Sequence, residues 1–198
     1  MIDSPLAFEI KASLSPDCWN GRWSQVGCFG GAMAVEWEVG EFLHALVRAI
    51  KPKVIIETGT HKGFSSLMIG AALKDNGFGH LYSIDCKDYG ARAEIVRFGL
   101  VDYVTLILEN SLKAIPELLK SNPVVDLLWL DADHSTESVI GEFRAGWPGL
   151  RSGSYITFHD TLSDPREKEG VRSILAEHPT LEHIHLATAR GFDLVRVP

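Results

Sequence analysis

Residues 54–66 read Val54-Ile55-Ile56-Glu57-Thr58-Gly59-Thr60-His61-Lys62-Gly63-Phe64-Ser65-Ser66. An apolar run ends on an acid, a turn with two glycines follows, and a helical pattern opens at once with FSSLMIGAALK. A short continuous apolar run suits a strand buried on both faces, the environment of a parallel sheet. Gly59 and Gly63 let the backbone approach a ligand closely, and the helix start behind them presents free N–H groups. The stretch therefore predicts a strand–turn–helix that cradles a nucleotide or an anion. It is not the dinucleotide fingerprint, because position 61 is His where G-x-G needs glycine, and no Gly-Lys-Ser/Thr follows to make a phosphate loop. Glu57, just before the turn, repels a pyrophosphate and suits a ligand that carries a cation or an ammonium group.

Outward from this stretch the same alternation continues. Phe42, Leu43, Leu46, Val47 and Ile50 recur at helical spacing and predict a helix over 37–50, broken at Pro52. Downstream, strands are expected over 81–85, 103–108, 124–131 and 155–160, and helices over 63–74, 90–99, 111–120, 135–146 and 166–178. Two final strands, 182–187 and 192–197, flank the short link Thr188–Gly191, which suits a hairpin. Strands alternating with helices predict an α/β fold. The expected architecture is a single-domain, doubly wound, mostly parallel seven-stranded sheet with a C-terminal antiparallel hairpin. Residues 1–34, rich in Pro and Gly and carrying Trp19, Trp23 and Phe29, read as an irregular N-terminal arm preceding a domain over 35–198. Its aromatics either anchor the arm to the core or cover a site.

Composition narrows the function. The chain has 198 residues, 45% apolar and 23% charged, with a formal charge of −7. Those values exclude a predominantly disordered chain and a nucleic-acid binder held by phosphate contacts. No apolar run approaches the roughly 18 residues of a membrane span, and residues 1–17 lack the basic start and apolar core of a secretory signal. Cys18, Cys28 and Cys86 are odd in number and never spaced C-x-x-C, so neither a disulfide framework nor a cysteine zinc site is expected, and a cytoplasmic location fits.

In a doubly wound sheet the ligand sits beyond the carboxyl ends of the strands. There the second strand carries Asp85, placed to accept both hydroxyls of a ribose, and the third carries Glu109-Asn110-Ser111. Ser111 caps the next helix, touches a base edge, or does both. The fourth strand ends in Asp131-Ala132-Asp133-His134 and the fifth in His159-Asp160-Thr161. Neighbouring parallel strands lie about 4.8 Å apart, so these groups converge. Gathered carboxylates need a counter-charge: a bound cation, a divalent metal, or protonation. Asp133 has a structural alternative, as the cap of the helix from Ser135, and His134 has one too, as a helix-start residue bonded to backbone.

In combination, Glu57-x-Gly59-x-x-x-Gly63-x-Ser65, then Asp85, Asp131-Ala-Asp-His134-Ser and His159-Asp160-Thr161 resemble class I S-adenosylmethionine-dependent methyltransferases. The resemblance covers about residues 36–198 and is closest to small-molecule O-methyltransferases, the catechol-type group and relatives acting on natural-product sugars. It implies a Rossmann-like methyltransferase fold and a transfer of methyl from S-adenosylmethionine to a hydroxyl of a small acceptor. It further implies that Glu57 and Ser65 hold the methionine end of the cofactor over the Gly59–Gly63 turn, that Asp85 binds the ribose, and that Ser111 lies by the adenine. Asp131, His159 and Asp160 match the metal ligands of the catechol-type enzymes, where the last two are usually Asp–Asn. A divalent cation, Mg or Mn, is expected between Asp131 and Asp160, although His is a softer donor than magnesium prefers. The family's lysine base falls at His134, which together with Asp131 is the expected catalytic pair.

Two other classes compete with this one. A nicotinamide-dependent oxidoreductase on a similar sheet is opposed by His61 and Glu57. A non-catalytic S-adenosylmethionine-binding module is opposed by the acidic cluster, which such a module does not need. The expected partner is a small hydroxylated molecule, without nucleic acid or membrane, and an arm of this kind suits a homo-oligomer.

Overall fold

The structure is a computed structural model and describes residues 4–13 and 35–198. Trp19, Trp23 and Phe29, and with them most of the expected arm, lie outside the described residues. The chain runs α1 (Pro5–Ala12), α2 (Trp37–Ile50), β1 (Val54–Thr58), α3 (Phe64–Asn76), β2 (His80–Asp85), α4 (Ala91–Arg97), β3 (Val104–Leu108) and α5 (Ser111–Ser121). It continues through β4 (Leu127–Leu130), α6 (Thr136–Gly146), β5 (Tyr155–His159), α7 (Pro165–Glu177), β6 (Glu182–Leu186) and β7 (Phe192–Arg196).

The strands form one seven-stranded sheet ordered β3-β2-β1-β4-β5-β7-β6. The first five pair in parallel, and β7 joins β5 and β6 antiparallel. This is the doubly wound sheet expected, with the order reversing at β1/β4, where ligands sit in such folds. Helices cover both faces. Leu43, Val47, Leu67, Ile69 and Ile95 of α2, α3 and α4 pack with Ile55, Leu127, Trp129 and Phe192 on one side. Ile115, Val139, Phe143, Val171 and Ile174 of α5, α6 and α7 pack with Ile56, Leu128, Ile156 and Phe158 on the other. Such two-sided burial explains why the strands read as continuous apolar runs rather than alternating ones.

Two elements differ from the sequence expectation. The strand expected over 124–131 is only Leu127–Leu130. The Val125 N–H bonds to Gly149 instead, and the Asp126 carboxylate accepts the N–H groups of Lys53 and Val54. Within the segment expected to be irregular, Pro5–Ala12 is helical. Ser4 Oγ accepts the N–H of Ala7, Pro5 needs no donor at the first helical position, and Ala7 and Ile10 are buried in the α2/α3 core.

Candidate functional site

A cleft of about 560 Å3 opens beyond the carboxyl ends of β1, β2, β3 and β4. Gly59, Gly63, Ser65, Asp85, Ser111, Asp131 and His134 all line it. The structure thus brings these seven residues to one cleft. Glu57 is not at its surface but directly behind it, fully buried.

The β1–α3 turn explains the glycines. Gly59 has φ +84°, and a Cβ there would lie 2.0 Å from the carbonyl oxygen of Asp131. The glycine is thus required by the backbone of the adjacent strand end. Gly63, at φ +91°, is the cap residue of α3. His61 adopts φ +47°, a left-handed conformation uncommon for a side-chain-bearing residue. From the first turn of α3, Ser65 Oγ donates to Glu57 Oε1 at 2.5 Å and Ser66 Oγ to Glu57 Oε2. Burial pushes the Glu57 carboxyl up to about 7, only partly offset by the serine hydroxyls.

Asp85 at the end of β2 accepts the N–H of His61 at 2.8 Å and of Lys87 at 3.1 Å. Its carboxylate is therefore fixed at the cleft wall by backbone on both sides. The cap of α5 is Asn110, whose side chain accepts the N–H of Leu112 at 3.0 Å. Ser111 is already inside the helix, so its expected capping role is corrected; its side chain instead bonds Glu142, buried on α6, which also accepts from Thr58 Oγ1 at 2.8 Å. Asp133 braces the start of α6, accepting from the hydroxyls of Ser135 at 3.0 Å and Ser138 at 2.7 Å. The cap residue there is Ser135.

At the ends of β4 and β5 the expected cluster forms, with additions that sequence reasoning missed. His159 is buried, with Nε2 on Glu36 and Nδ1 facing Asp131 Oδ1 at 3.2 Å and Asp160 Oδ2 at 3.4 Å. Burial opposes its charge, yet Asp131, Asp160 and Glu36 together raise its pKa well above the usual imidazole range. With a carboxylate against each ring nitrogen, the geometry around His159 favours the doubly protonated, cationic ring. Arg190, from the β6–β7 link, grips Asp160 with Nε on Oδ1 and Nη2 on Oδ2 at 2.8 Å. Ser163 Oγ donates to Asp160 Oδ1 at 2.5 Å. Burial raises the Asp160 pKa, but His159 and Arg190 outweigh it and hold the carboxyl well below the usual range.

His134 lies between two acids, with Nε2 3.3 Å from Asp160 Oδ2 and Nδ1 3.4 Å from Glu167 Oε2. The Glu167 hydrogen bond is the main cause of a pKa raised above the ordinary imidazole value, while burial opposes it. The residue immediately precedes the Ser135 cap of α6, and the surrounding carboxyls raise its proton affinity. Glu167 on α7 is itself buried, and that burial pushes its carboxyl up to about 7.

The donor set expected for a divalent cation does not fit. Both nitrogens of His159 are engaged by carboxylates, and both oxygens of Asp160 are held by Arg190. Among the described residues, Asp131, His134 and Asp160 each offer a ligand atom within 4.8 Å of the others. For this second set to hold an ion, Arg190 must free an oxygen of Asp160 and His134 must present an unprotonated Nε2.

A family model described as "Methyltransferase domain" matches residues 56–161, just over half of the chain. An Arabidopsis thaliana protein named as a caffeoyl-CoA O-methyltransferase is 29% identical over 131 residues, 66% of this chain and 49% of that protein. A catechol O-methyltransferase of Niastella koreensis is 30% identical over 122 residues, 60% of this chain and 55% of that protein. The chain thus spans about half the length of these two curated relatives. Among solved structures, an O-methyltransferase from Bacillus cereus in complex with SAH superposes with a TM-score of 0.74 at 20% identity, covering 98% of this chain and 90% of that one. By the family match, and with a sheet of the same architecture, the chain belongs to the methyltransferase domain family and carries the class I methyltransferase fold.

Proposed function

We propose that the chain binds S-adenosylmethionine across the ends of β1 and β2 and transfers its methyl group to a hydroxyl of a small-molecule acceptor. The observation that carries this reading is the single cleft shared by the β1–α3 turn, Asp85 and the Asp131–His134 mouth. The O-methyltransferases among its relatives support the reaction class.

When bound, S-adenosylmethionine supplies a methyl group activated by a sulfonium. Asp85, fixed by two backbone donors, is placed to accept the ribose hydroxyls. Ser65, on the cleft wall, is assigned the methionine end, with the buried Glu57 behind it holding its hydroxyl. Asp131 borders the cleft beside the mouth and favours cationic groups there. The chain then holds an acceptor oxygen in line, at the near-attack separation of about 3–3.5 Å. His134 is the group positioned to take the acceptor's proton, with Glu167 behind its Nδ1 to stabilise the imidazolium.

The test is thermal unfolding with S-adenosylhomocysteine. At about 100 times the dissociation constant, binding adds roughly 2.7 kcal/mol, or about 5–10 °C in Tm for a chain of this size. Asp85→Ala should lose most of that shift while remaining folded. A wild-type protein that shows no shift at millimolar ligand removes the cofactor reading.

A further inference from the structure

Converging carboxylates need a counter-charge, and a divalent ion is one way to supply it. We infer that in this chain Arg190, clamped on Asp160, and His159, seated between Glu36 and Asp131, occupy the electrostatic place of that ion, so that the mouth takes up no Mg2+ or Mn2+. The inference concerns the mouth of the proposed methyltransferase site, but ion binding is decided independently of that activity.

The argument is one of lone pairs and of anchoring. A hard divalent cation needs carboxylate oxygens that can face it, at about 2.1 Å for magnesium. Asp160 Oδ1 already accepts from Arg190 Nε and Ser163 Oγ, and Oδ2 accepts from Arg190 Nη2. A guanidinium stays charged throughout the accessible pH range, and this two-pronged pairing is its strongest geometry. Displacing it also means displacing a fixed loop. The Arg190 N–H donates to Glu36 Oε1 at 2.7 Å, and its carbonyl accepts from Leu162 at 2.8 Å and Ser163 at 2.9 Å. Next to it, Gly191 sits at φ +88° so close to Leu162 that a Cβ would lie 2.3 Å from the Leu162 nitrogen. Arg190 is therefore held through its own backbone to both α2 and the β5–α7 connection.

His159 supplies the second charge. It is held by Glu36 on one nitrogen and by Asp131 and Asp160 on the other, so neither nitrogen is available as a metal donor. Glu36 binds both His159 and the Arg190 loop, and so couples the two cations into one unit. The cluster's need for counter-charge is met from within the chain.

The test is a Mn2+ titration followed by electron paramagnetic resonance, on the folded wild-type chain, on Asp131→Asn, on Arg190→Gln and on Arg190→Gln/Asp131→Asn. The wild type should show no saturable Mn2+ uptake below about 1 mM, a binding energy under about 4 kcal/mol. Arg190→Gln should gain at least tenfold tighter uptake, and adding Asp131→Asn should abolish the gain. Wild-type uptake in the micromolar range that Asp131→Asn removes overturns the inference. So does a folded Arg190→Gln protein that gains no uptake. If Arg190→Gln does not fold, the wild-type titration alone decides. S-adenosylhomocysteine binding is measured on the same samples. Its absence sinks the proposed function while leaving the ion result standing.

Discussion

Glu57→Gln isolates the energetics of a carboxyl sealed beneath the β1–α3 turn. Glu57 is fully buried, and burial raises its pKa from 4.5 to about 7. An acid whose folded pKa is raised binds its proton more tightly in the native state. Its favourable contribution is fully present below 4.5 and is lost as pH rises through about 7. Between pH 5 and pH 8 the linkage amounts to about 2.5 kcal/mol of lost stability, from a shift of about 2.5 units at 1.36 kcal/mol each less the part outside that window. Gln cannot ionise, so the variant should escape this loss. The assay is urea unfolding of both proteins at pH 5, 6, 7 and 8. The difference in unfolding free energy, variant minus wild type, should climb by about 2.5 kcal/mol across the series. Glu167, also raised to about 7, contributes a slope of the same sign, but it is common to both proteins and cancels in the difference. A constant offset between wild type and variant at all four pH values would refute the reasoning, because Glu57 would then carry its ordinary pKa in the native state.

Gly59→Ala should unfold the protein or cost several kcal/mol, because a Cβ at φ +84° meets the Asp131 carbonyl at 2.0 Å; circular dichroism with heating checks it. Asn110→Ala should lose about 1 kcal/mol in urea unfolding, as a helix cap does, whereas Ser111→Ala should leave the α5 cap intact. His134→Ala should lower kcat at least a hundredfold while leaving S-adenosylhomocysteine affinity within about twofold, as general-base loss does. In the wild type, kcat should rise with pH through a value above the ordinary imidazole range, and that limb should vanish in the variant.

The fold was legible because its signals are local. Val54–Ile56, the Gly59–Gly63 turn and the helical period after Phe64 each lie within a dozen residues, and the strand–helix alternation needs nothing else. Gly59, Gly63, Ser65, Asp85, Asp131 and His134 were legible for the same reason, since each stands at a strand end or just after it. Their charge partners were not. Glu36 meets His159 across 123 positions and the Arg190 backbone across 154. Glu167 meets His134 across 33, and Arg190 meets Asp160 across 30. No motif marks these residues: Glu36 stands before an ordinary helix, and Arg190 sits in a link that reads as a plain turn. Sequence reasoning recognised that the acids needed a counter-charge, a cation, a metal or protonation, but nothing local pointed to Arg190, which the topology brings onto Asp160. The small helix at Pro5–Ala12 was missed because prolines and glycines around it outweighed a short Ser4-Pro5 start signal.

The position of β7 has a consequence for the order in which the molecule can be completed. Among the strands of this sheet, β7 comes last in the chain but does not lie at an edge; it inserts between β5 and β6. Until residues 192–196 emerge, β5 presents an unpaired row of backbone donors and acceptors, and Phe192 is missing from its stack on Trp129. Synthesis thus passes through a nearly finished domain with an open, sticky seam beside the mouth of the site. A stalled chain ending at residue 191 carries every cleft-lining residue and even Arg190, yet lacks the strand that closes the sheet. Such a chain exposes the unpaired edge and apolar surface that make partly folded domains prone to aggregate.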